Sequence, residues 1–279
     1  MNIFQAIENK DITRFKELLD SGIDVNSKDK YDKYPLHLVS SWNLLNMCKL
    51  LLSNPKIKVN VQDEYGNTPL YYACQNANID IIKLLLQHPD IDVNIKNNVG
   101  KTCLHHVCFH NEIETAKLLL EHTDIDVNVK NDEGNTPLHI LCEGSDYHNL
   151  VDLTILLLSN PKIKVDIKNK EGFPPLITAY ESENFEVLKL LISNSDVNVK
   201  DSFNKSLLYK TWMNLDYGTL KLLIKNPRII IDFDYNENYN YYKDKTRLSF
   251  YYIVSKMYLK KKRNIALEKV TNILDTIEN

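Results

Sequence analysis

Gly66-Asn67-Thr68-Pro69-Leu70 and Gly134-Asn135-Thr136-Pro137-Leu138 are the same five residues, 68 positions apart, and Gly100-Lys101-Thr102-Cys103-Leu104 lies midway between them. The chain therefore has a period of 34. A fixed period of that size reads as stacked supersecondary units, none able to bury its apolar face alone. A second marker runs in step: Asp24-Val25-Asn26, Lys58-Val59-Asn60, Asp92-Val93-Asn94 and Asp126-Val127-Asn128. It continues at Lys164-Val165-Asp166, Asp196-Val197-Asn198 and Ile230-Ile231-Asp232, at intervals of 38, 32 and 34. The ten residues from Leu50 to Val59 recur identically from Leu156 to Val165, so the units arose by duplication.

Each unit has a physical order. A turn rich in Asp, Asn and Gly leads into Thr-Pro-Leu, where Thr caps a helix and Pro suits its first turn. A short helix, a polar loop (Asn76–Asn78, Asn111) and a second helix follow, and then an extended segment carries the Val-Asn marker. Ile79, Ile82, Leu85 and Leu86 give the second helix one apolar stripe.

The Thr-Pro-Leu box resembles that of the ankyrin repeat, whose signature Thr-Pro-Leu-His-x-Ala is matched at Thr136-Pro137-Leu138-His139. Partial matches are Tyr34-Pro35-Leu36-His37, Thr68-Pro69-Leu70-Tyr71-Tyr72-Ala73 and Thr102-Cys103-Leu104-His105, with drift at Pro174-Pro175-Leu176-Ile177 and Ser206-Leu207-Leu208-Tyr209. The resemblance implies an all-α solenoid of helix-turn-helix units joined by short β-hairpin-like loops. It spans an amino-terminal capping unit (1–33), about six repeats (34–66, 67–100, 101–134, 135–172, 173–204 and 205–234) and a carboxy-terminal helical cap or tail (235–279). The family's unit is normally one residue shorter, which places the extra residue in the loop after the second helix, as in His88-Pro89-Asp90-Ile91. The fourth repeat carries about four more around Glu143–Asn149, a candidate specificity loop.

The ends depart from the period. Ile3, Phe4, Ala6 and Ile7, then Ile12, Phe15, Leu18 and Leu19, predict two short capping helices. Past Tyr235, Leu248–Leu259 and Ile265–Ile277 read as helices folded on the last repeat. The segment 236–279 holds nine Lys or Arg against five Asp or Glu, whereas the chain as a whole carries −3. Lys260-Lys261-Lys262-Arg263 reads mainly as a solvated helix end, with nuclear import or anionic docking as the alternative. Some viral and bacterial ankyrin proteins carry an F-box-like tail that recruits ubiquitin ligase. That implies an adaptor or host-interaction effector as an alternative function, although no motif here matches residue by residue.

Composition narrows the class. No signal peptide or 18-residue apolar run is visible, so a cytoplasmic, reducing location is expected, with nuclear entry or delivery into a host cell as variants. Abundant Asn, Lys, Ile and Tyr fit an AT-rich genome, such as that of an intracellular bacterium, a protist or a large DNA virus. Cys74, Cys108 and Cys142 recur every 34 residues at the family's small, buried Ala position. Equivalent atoms in stacked helices lie about 8–10 Å apart, too far for a disulfide. His37, His105 and His139 take the box position where the family's histidine bonds to backbone and to the next unit. His105, His106, Cys108 and His110 are crowded, but successive helical positions point apart, so no metal site is assigned. No nucleophile–base pair, phosphate loop or carboxylate pair stands out. The reading is a non-enzymatic scaffold without cofactor, monomeric, with a protein partner and neither nucleic acid nor membrane.

The resemblance also locates binding, on a concave face made of hairpin tips and first helices. The residues it places there are Tyr31, Lys33 and Trp42; Tyr65, Asn67, Gln75 and Asn76; Val99, Lys101, Phe109 and His110; Glu133, Asn135 and Glu143; and Phe173. Trp42, Tyr65, Phe109 and Phe173 are the aromatic anchors of the set. Family asparagines in Leu-x5-Asp-Val-Asn are also oxygenase substrates, and Asn26, Asn94 and Asn128 fit that spacing.

Overall fold

The computed structural model describes residues 2–144, 150–214 and 216–230. The tail from 235, its two expected helices, the basic run at 260–263 and positions 145–149 of the insertion lie outside them. The described residues form fourteen helices and no strand. They belong to two compact bodies, divided after Asn194.

In the first body, α1 (Ile3–Glu8) and α2 (Ile12–Asp20) form the opening pair. The first helices of the repeats are α3 (Pro35–Ser41), α5 (Pro69–Gln75), α7 (Cys103–His110), α9 (Pro137–Glu143) and α11 (Pro175–Glu181). The second helices are α4 (Leu45–Leu52), α6 (Ile79–Leu86), α8 (Ile113–Glu121), α10 (Val151–Leu158) and α12 (Phe185–Asn194). Each first helix packs on the next first helix and each second helix on the next second helix, giving two layers. The core lies between the layers, where Leu36, Leu70, Leu104 and Leu138 meet Leu51, Ile82, Leu85 and Leu119, all fully buried. Full burial of such a side chain is worth about 1.5–3 kcal/mol. In the second body, α13 (Leu207–Met213) and α14 (Tyr217–Lys225) pack as one such pair.

The Thr-Pro-Leu box works through reciprocal capping. Thr102 N–H and Thr136 N–H donate to Nδ1 of His105 and His139, at 3.2 and 3.1 Å, and the threonine hydroxyls donate to the same nitrogens. Nδ1 is thereby the acceptor, so Nε2 carries the proton. From there His37, His105 and His139 donate to the Asn67, Asn135 and Phe173 carbonyls of the next repeat, each at 3.0 Å. One imidazole thus caps its own helix and bonds the neighbouring repeat.

The Val-Asn marker is a second staple. Asn60 Nδ2 donates to the Asp90 carbonyl (2.6 Å) while its Oδ1 accepts the Asp92 N–H (3.0 Å). Asn26, Asn94 and Asn128 repeat this pair of bonds to the next repeat. Asn198 does so within the second body, to Arg228 and Ile230. All five cysteines are free and buried, among them the ladder members Cys74, Cys108 and Cys142.

Between the helices of a repeat the chain reverses through a residue at positive φ, such as Asn43, Ala77, Asn111 or Glu183. After Ala77 and after Glu183, the following asparagine reaches back into the preceding repeat. Asn78 Nδ2 donates to the Ser40 and Ser41 carbonyls, and Asn184 Nδ2 to those of Leu141 and Gly144. By register the same place is held by Glu112, whose carboxylate has no N–H to donate. One of its oxygens is buried without a hydrogen-bond partner, and burial pushes its pKa up. Glu112→Asn is therefore expected to raise stability by about 1 kcal/mol, read as a higher urea midpoint. A lower midpoint would show that the carboxylate has another role.

Candidate protein-binding surface

The tip of each hairpin is built on one Asx residue. Asp63 Oδ1 accepts the Tyr65 and Asn67 N–H groups, and Asp29, Asn97 and Asn131 do the same for the residues two and four positions on. Successive tips are joined by backbone: Asn98 N–H donates to Tyr65 C=O, Asp132 N–H to Val99 C=O, and Lys170 N–H to Glu133 C=O. Fixing the tips in register points one side chain per repeat outward. In the first body these are Tyr31, Tyr65 (59% exposed), Val99, Glu133 and Glu171.

Tips and first helices share one surface, because side chains bridge them. Lys33 Nζ lies 4.9 Å from the centre of the Tyr72 ring and Lys101 Nζ 5.6 Å from that of Phe109. Such cation–π contacts are worth about 0.5–1 kcal/mol where exposed. Phe109 is 63% exposed and Trp42 44%, so both stand out from the helix ends and are not wedged between helices. Gln75, Asn76 and His110 are also exposed. Asn76 Nδ2 is bonded to the Tyr72 carbonyl at 2.9 Å, and the His110 ring sits 5.0 Å from that of Phe109.

Three expected residues have a different place. Asn135 is only 3% exposed and is corrected from surface contact to structural link. Its Nδ2 donates to Glu143 Oε1 (2.7 Å), its Oδ1 accepts from Asn169 (2.9 Å), and its carbonyl receives His105. Asn67 is half-buried for the same reason, receiving Asn97 on its side chain and His37 on its carbonyl. Phe173 is half-buried, with N–H on Asn169 and carbonyl on His139.

Charge divides the surface. Lys30, Lys33 and Lys101 stand among the aromatic residues, whereas Glu133, Glu143 and Glu171 gather beyond them. Burial first, then the neighbouring Glu133 and Glu171, push the Glu143 pKa up, while the Asn135 bond and Lys101 pull it down. Two further features were not expected. Tyr72 donates to Asp63 Oδ2 (2.6 Å), tying a first helix to the base of its own tip. In the second body, Phe203 holds the tip register of Tyr31 and Tyr65 and is 73% exposed; the 32-residue interval before it hid that equivalence.

A repeat stack with paired helices, hairpin tips and inter-repeat histidine bonds defines an ankyrin-type protein. The family model for ankyrin repeats matches residues 3–97, 91–169 and 126–201, and the chain belongs to the ankyrin repeat family. Solved structures agree. The ankyrin repeat protein EF0377 superposes with a TM-score of 0.64 at 26% identity, covering 69% of this chain and 97% of that one. An ankyrin repeat domain (ABAYE2397) from Acinetobacter baumannii AYE gives 0.62 at 24%, covering 69% and 96%. The ankyrin domain of Bcl-3, of the IkappaB protein family, gives 0.67 at 21%, covering 75% and 92%. No curated protein sequence matches. Ankyrin repeats generally mediate protein–protein interaction, and no described helix is long and apolar enough to cross a membrane.

Proposed function

We propose that the chain is a non-enzymatic scaffold, monomeric and working in a reducing compartment, that holds a protein partner on the face formed by its tips and first helices. The observation that carries this is the column of exposed Tyr31, Tyr65 and Val99, one per repeat, with Trp42 and Phe109 beside it. Large exposed apolar side chains on rigid elements are the usual anchors of an interface, and Tyr and Trp are favoured among them. The split between lysines and glutamates fits a partner segment of mixed charge, acidic where it meets Lys33 and Lys101 and basic where it meets Glu133, Glu143 and Glu171.

The test compares the proteins captured by the full chain and by the Trp42→Ala, Tyr65→Ala double variant, followed by affinity measurement on the purified partner. Each anchor at an interface centre is expected to cost about 2 kcal/mol or more, so the double variant should lose most binding. Unchanged affinity would move the interface elsewhere. The basic segment 236–279 favours one extension, in which the tail recruits a second partner as an adaptor. A protein captured by the full chain and lost from the chain ending at 235 would support it.

A further inference from the structure

The four crowded residues of α7 do not all point apart. His105 is bound to Thr102 and Asn135, and Cys108 is buried in the core. His106 and His110, four residues apart, share one face of the helix. Their ring centroids are 4.4 Å apart, with the planes inclined by 43°. His106 is over nine-tenths covered, yet its Nε2 has no hydrogen-bond partner. A buried polar atom without a partner costs free energy and calls for an explanation. Its other nitrogen, Nδ1, lies 3.4 Å from Tyr71 Oη, on the first helix of the preceding repeat. With Nδ1–H donated to that oxygen, Nε2 presents a lone pair.

We propose that His106, through Nε2, and His110 bind a divalent first-row transition-metal ion between their two imidazoles. Imidazole nitrogens suit zinc, nickel and copper, whereas magnesium and calcium take oxygen ligands. Tyr71 supplies the outer hydrogen bond that fixes the tautomer and orientation of a metal-bound histidine. No group of three or more His, Cys, Asp or Glu residues able to hold a metal occurs among the described residues. The described residues therefore supply two ligands, leaving the remaining positions to water or to a bound partner's side chain. The Lys101 charge opposes the ion and keeps the affinity moderate.

The tag-free full chain, stripped with a chelator, is titrated with nickel(II) chloride by calorimetry. Nickel follows imidazole nitrogen without oxidising the buried thiols. One ion per chain is expected, together with a higher unfolding temperature in nickel. His110→Ala removes an exposed side chain and should abolish both effects while keeping the circular dichroism of the parent. His122→Ala should keep both. Absence of one-to-one binding to the parent chain, its survival in His110→Ala, or an equal loss in His122→Ala would overturn the proposal.

Discussion

Acidification from pH 7.5 to pH 5 will destabilise the repeat array by several kcal/mol, well before most carboxylates are protonated. The cause is the inter-repeat histidines. His37, His105 and His139 are buried with Nδ1 accepting and Nε2 donating, so a second proton has no place without breaking a cap. Burial outweighs the backbone bonds and lowers each pKa from 6.5 to about 4. The unfolded chain takes up protons below about 6.5 and the folded chain only near 4. Between those values the unfolded state binds more protons, so stability is complete above 6.5 and falls as the pH drops toward 4. At pH 5 that amounts to about 2 kcal/mol per ring. Glu112 and Glu143, whose pKa values are raised, act in the opposite sense but are partly exposed. Urea unfolding followed by circular dichroism at the two pH values measures the difference. An unchanged midpoint would mean that the rings accept a proton in place, contrary to the hydrogen bonds described.

The histidines also show how much was legible in sequence. The period placed each one, because a box that recurs every 34 residues must do the same work in every repeat. It also assigned the cysteine ladder to the core and the Val-Asn marker to the fold. What it missed lies where a contact depends on the neighbouring repeat. Asn135 stands in register with Lys101, and nothing in the chain order says that one is buried between Glu143 and Asn169 while the other lies over a ring. Asn67, in the same register, is drawn inward by its own neighbours. Likewise, the crowding of four ligand-type residues on α7 was visible, but only helix geometry separates the bonded His105 from the pair His106 and His110. Phe203 was hidden by spacing alone, since repeats of 38 and 32 residues shift the register on either side of Lys170.

Gly100→Ala will cost about 1 kcal/mol more stability than Gly22→Ala, although both glycines have positive φ. Their φ values are +72° and +80°. For an L-residue such a conformation costs roughly 1–2 kcal/mol, and at Gly22 little else is at stake, since nothing lies within 4 Å of an added Cβ. At Gly100 the same Cβ would stand 2.5 Å from the Asp132 amide nitrogen and 2.9 Å from the Asn131 carbonyl carbon. Both are backbone, so they cannot rotate away. Relief requires the two tips to separate, which breaks the Asp132 N–H bond to the Val99 carbonyl and costs about 1 kcal/mol more. Asp32 and Asn204 occupy the same tip position at φ +56° and +58°, so positive φ by itself admits an Asx residue there. Close approach of the next tip is what demands glycine at 100, as at 66 and 134. Because the tips carry the proposed interface, Gly100→Ala should also weaken partner binding through Val99 and Tyr65, which Gly22→Ala should leave intact. Equal urea midpoints for the two variants would show that the tips yield freely and that their register is not fixed by backbone contact.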